Sequence, residues 1–73
     1  MLTKEEYDFV NRFRPILQMF ADHGEYTGGS GALIDWHENK YGERIDRGCT
    51  GCMSGFLKFS LSMLKQYEKT ITT

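Results

Sequence analysis

The last third of the chain constrains the fold most, because it carries apolar side chains on more of a helix than one neighbour can cover. From Cys49 to about Lys69 the spacing predicts a long helix with two adjoining stripes, Met53, Leu57, Leu64 and Tyr67 on one and Cys52, Phe56, Phe59 and Met63 on the other. Leu61 lies between their backs. A surface helix normally shows one stripe. This breadth therefore places the segment at the centre of a bundle, against a partner, or both.

The rest of the chain supplies the packing partners. Thr3 followed three residues later by Glu6 reads as a capping box, with Glu5 and Asp8 also suited to the positive end of a helix dipole. Phe9, Val10, Phe13, Leu17 and Phe20 then recur at helical spacing as far as Gly24. Pro15 interrupts this run, and an internal proline costs about 3 kcal/mol. Either the helix kinks at Pro15 or it restarts with Pro15 in a first turn, and the unbroken apolar stripe favours the kink. Residues 24–31, GEYTGGSG, are a flexible connection, after which Ala32, Leu33, Trp36, His37 and Tyr41 share one face of a second, three-turn helix that ends at Gly42. The charged link around Ile45 leads into the final helix. The expected fold is all-α: a single domain spanning residues 1–73, a small three-helix bundle with its first helix kinked near Pro15.

Length limits function. With 73 residues the chain can bury roughly 60% of its extended surface, the low end of what folds unaided, so a metal, a staple or a second subunit would help. Ten aromatic residues exclude a disordered segment. Nine Lys and Arg against ten Asp and Glu leave a net charge of −1, which disfavours a domain built to neutralise phosphates. A weak nucleic-acid-binding module would require Arg12, Arg14, Lys40, Arg44 and Arg47 to gather on one face. No apolar run approaches a membrane span, and the start MLTKEEYDFV does not read as a targeting peptide. The expected setting is the cytoplasm with reduced thiols.

Gly48-Cys49-Thr50-Gly51-Cys52 is the strongest local pattern. Two thiols two residues apart at a helix start converge on one point, which suits zinc or a reversible disulfide, and the helix terminus favours thiolate. A zinc site needs four ligands, so Cys49 and Cys52 would recruit His23 and His37, or two thiolates from a second copy. The alternative is that the cysteines are small packing residues. The loop entering the second helix offers a separate anion site, with Thr27 and Ser30 hydroxyls as donors and Trp36, Arg44 and Arg47 adding stacking and charge for a phosphate or nucleotide ligand. It lacks the Lys-Ser/Thr ending of a nucleotide-hydrolase loop. No nucleophile and base stand in an order that points to a catalytic triad, so the chain is not expected to be an enzyme.

Tyr41-Gly42, a short polar link, Gly48-Cys49-x-x-Cys52 and a final helix ending in Tyr67-Glu68-Lys69 resemble the arrangement in small helical proteins encoded by tailed bacteriophages. The resemblance covers about the last 35 residues and carries no catalytic residues with it. It implies a host-cytoplasmic location and a role in binding a host or phage macromolecule. The leading expectation is accordingly a non-catalytic protein that binds a protein partner, including itself as a homo-oligomer, through Phe56, Phe59, Met63 and Tyr67. The alternative is sequestration of a small phosphate-bearing molecule.

Overall fold

The computed structural model describes residues 2–26 and 28–71. Four helices follow one another: α1 (Lys4–Asn11), α2 (Arg14–His23), α3 (Gly31–Tyr41) and α4 (Thr50–Ile71), with no strand among the described residues. The capping box forms as the sequence predicts, Glu6 N–H donating to Thr3 Oγ1 at 3.2 Å while Thr3 N–H donates to Glu6 Oε1 at 2.9 Å. Gly24 and Gly42 end α2 and α3 in the left-handed conformation, at φ 69° and 70°.

The kinked first helix is corrected to two helices. Pro15 has no N–H to offer the Asn11 carbonyl, and its ring crowds that oxygen. The chain instead tightens, with Arg12 N–H bonded to the Phe9 carbonyl at 3.2 Å and Phe13 N–H to that of Val10 at 3.0 Å. It then restarts with Pro15 in the first turn of α2, where a missing donor leaves no helical bond unmade. Val10 and Leu17, on either side of the break, are both buried. The apolar stripe thus runs through the restart as well as it would through a kink.

The long α4 packs against α1 and α2, and α3 closes the core with Leu33 and Ile34. The extents of 38 × 29 × 17 Å correspond to two layers of helices. The buried arc of α4 comprises Met53, Phe56, Leu57, Ser60, Leu61, Met63 and Leu64. Leu61 is therefore a core residue. Cys52 and Phe59, expected in the second stripe, lie beyond the edge of the arc and are exposed. The far end of α4 is tied down by Tyr67, stacked on Tyr7 at 4.4 Å, and by Glu68, which accepts from the Tyr7 hydroxyl at 2.6 Å and pairs with Arg14.

Candidate functional site at the junction of α3 and α4

Gly42 turns the chain away from α3, and the link to α4 is held by three bonds from residues close in sequence. Ile45 N–H donates to Glu38 Oε2 at 2.8 Å, Gly48 N–H to Asp46 Oδ1 at 2.9 Å, and Cys49 N–H to the Asp46 carbonyl at 3.1 Å. Arg47 adds an ion pair with Asp35 at 2.8 Å. This fixed link, the end of α3 and the first turns of α4 enclose a groove of about 460 Å³, lined by His37, Tyr41, Arg44, Cys52, Phe56 and Phe59 among others. Gly51 and Gly55, one turn apart on α4, also line it, and a Cβ at either would meet nothing within 4 Å. At these two positions the helix projects no side chain into the groove.

Three rings meet around His37. Its centroid lies 4.6 Å from Tyr41, 5.2 Å from Phe56 and 5.6 Å from Phe59, and Tyr41 meets Phe59 at 5.9 Å. The two phenylalanines approach His37 edge to face. His37 is only 8% exposed and its Nδ1 is buried without a hydrogen-bond partner among the described residues. Burial pushes its pKa below the ordinary imidazole value, against the opposing pull of Glu43 and Glu38. Tyr41 and Phe59, in contrast, are 42% and 44% exposed. They form a ridge that also borders a second cleft of about 240 Å³, lined by Leu2, Met63, Gln66 and Tyr67, into which the Tyr41 hydroxyl bonds Met63 Sδ at 3.4 Å.

The four residues expected at an interface therefore lie along one surface but contribute unequally. Phe56 and Met63 are buried, Tyr67 is half-buried on Tyr7, and Phe59 alone presents a freely exposed ring. Tyr41 is its missed partner. The spacing could have found it, since Tyr41 stands one turn after His37 and immediately before the Gly42 cap.

Cys49 caps α4. Its carbonyl accepts from Met53 N–H at 3.0 Å and its sulfur from Cys52 N–H at 3.2 Å. The Cys52 thiol and N–H, with the N–H of Gly51, pull the Cys49 thiol below its usual pKa, whereas Cys49 pushes that of Cys52 up. Of the proposed metal ligands, His37 shares the groove with Cys52, but His23 ends α2 on an exposed position. No three His, Cys, Asp or Glu side chains converge as a metal site among the described residues.

The expected phosphate site is only partly assembled, with the Arg47 guanidinium beside Gly31 at the start of α3. Thr27 lies outside the described residues. Ser30 is fully buried with its hydroxyl against that of Tyr26, and its side chain does not cap α3. Trp36 packs on Phe9, under the Lys40 ammonium, while Arg44 and Arg47 line a cleft with Glu38, Ile45 and Asp46. Three of the five cations considered for nucleic acid are paired with carboxylates, Arg14 with Glu68, Lys40 with Glu6 and Arg47 with Asp35. None of the described helices is long and apolar enough to cross a membrane. No known family, curated protein or solved structure matches the chain.

Proposed function

We propose that this protein is a non-catalytic protein-interaction module that pairs with a second copy of itself through the Tyr41–Phe59 ridge and its two flanking clefts. The observation that carries the reading is the adjacency of two large, exposed aromatic rings on a surface whose underlying residues are fixed in the core. Rigid aromatic anchors lose little side-chain entropy when covered and are favoured at interface centres. A net charge of −1 sets little electrostatic repulsion against two copies meeting. The phage resemblance fits a cytoplasmic module that uses the same ridge on a host protein.

The test is the oligomeric state of wild type beside Phe59→Asp. The variant keeps its helical content, because Phe59 is outside the core, and loses association. A phosphate-ligand function has weaker support, since the Ser30 hydroxyl is buried against Tyr26 and Arg47 is paired with Asp35. Thermal shift with a panel of nucleotides tests it: ligand at a hundred times its Kd would add about 2.7 kcal/mol.

A further inference from the structure

We propose that Cys49 and Cys52 form a dithiol–disulfide exchange centre that takes an accessible organic disulfide as its substrate. The cap geometry brings the two residues together. Cys49 Sγ accepts the N–H of Cys52, so the first sulfur is fixed against the backbone that carries the second. Both thiols are free, Cys52 exposed and Cys49 half-buried.

A second observation points to a ligand beside the pair. Cys52 lines the groove of about 460 Å³ together with His37, a buried polar ring whose Nδ1 has no partner among the described residues. Buried polar atoms are normally satisfied, and this unmet one belongs to a ring of the groove wall. Tyr41, Phe56 and Phe59 supply apolar walls, and Arg44 a cation. The groove thus offers a seat for the organic part of a disulfide next to one of the reacting sulfurs.

The two thiols take different parts. The Cys49 thiolate, favoured by the N–H groups of the helix start, attacks one sulfur of R–S–S–R. A Cys49–S–S–R bond forms, the substrate S–S bond breaks, and RS⁻ leaves and takes a proton from water. Cys49 no longer carries charge, which removes its contribution to holding the Cys52 proton. Cys52 then releases that proton to solvent and attacks Cys49 Sγ. The Cys49–Cys52 bond forms and the second RS⁻ departs. In total the protein dithiol is oxidised by two electrons and the substrate disulfide is reduced to two thiols. The reverse sequence reduces the protein at the expense of a dithiol.

The groove is also one of the two clefts covered in the proposed self-pairing, so the centre acts in the unpaired chain, and its test is run at low concentration where single chains are read. Reduced protein is mixed with glutathione disulfide and followed by intact mass and free-thiol count, beside Cys49→Ser and Cys52→Ser. Serine retains N-cap function at position 49, so that variant keeps the helix start. The expected results are an internal disulfide in wild type, two hydrogens lighter with no glutathione retained; a persistent mixed disulfide in Cys52→Ser; and loss of rapid exchange in Cys49→Ser. Independent glutathionylation of both cysteines without an internal disulfide would overturn the proposal. So would stoichiometric zinc in the purified protein that shields both thiols until a chelator is added.

Discussion

The Tyr7 hydroxyl donates to the Glu68 carboxylate at 2.6 Å, joining the first helix to the end of the last across 61 residues. Arg14, in the first turn of α2, pairs with the same Glu68 oxygen. One carboxylate thus holds three helices together at the end of the bundle away from the cysteines. Glu68→Ala removes both interactions and should lower the melting temperature by about 5 °C, as expected for loss of a partly exposed, charge-assisted pair in a domain of this size. Tyr7→Phe should lower it less, since the ring still stacks on Tyr67. Thermal melts of the two variants check the order.

Ser60 and Leu57 share the buried face of α4 but should respond to alanine in opposite directions. Ser60 Oγ is buried and has no hydrogen-bond partner among the described residues. Removing an unsatisfied hydroxyl from a helix interior, while gaining helix propensity, should stabilise Ser60→Ala by about 1 kcal/mol. Leu57 is 1% exposed within the core cluster, so Leu57→Ala should cost about 2–5 kcal/mol, a large share of the stability of so small a domain. Denaturant midpoints measured on both variants test the pair.

His37 makes stability depend on pH in a defined direction. Burial lowers its pKa in the fold, so as acid is added the unfolded chain takes up the proton first. Its contribution is therefore complete above the unfolded value of about 6.5 and is lost as the pH falls from there towards the lower folded value. His37→Phe retains a ring among Tyr41, Phe56 and Phe59 and should flatten the stability profile between pH 7.5 and 5. Glu6, whose pKa is lowered by Lys40 and Thr3, begins to lose its contribution as the pH falls through the ordinary carboxylate value of 4.5, below this interval, and it is present in both proteins compared. Urea unfolding across that interval shows whether the slope belongs to His37.

Local chemistry was more legible in the sequence than edges and neighbours. The Thr3–Glu6 box and the Gly24 and Gly42 stops depend on residues within one turn, and all three form where the pattern placed them. Pro15 was recognised as a disruption, but a stripe with Val10 and Leu17 two turns apart has the same period through a kink or a restart. Hydrogen bonds at Arg12 and Phe13 decide between them. Along α4 the apolar width was visible, yet which residues fall at its edge depends on where α3 packs. Phe56 is buried against His37 of α3 and Leu61 beside Leu17 and Phe20 of α2, while Phe59 and Cys52 remain exposed. Ser30 shows the same limit at the anion loop, because its hydroxyl is taken up by Tyr26, a contact no spacing rule supplies.

Sedimentation equilibrium of the full chain under reducing conditions, from micromolar to millimolar concentration, tests the proposed ridge most directly. The expected result is a mass that rises from monomer towards dimer in wild type and stays monomeric in Phe59→Asp, with unchanged helical circular dichroism. A wild-type protein that remains monomeric throughout, or a variant that associates equally well, would contradict self-pairing through Tyr41 and Phe59.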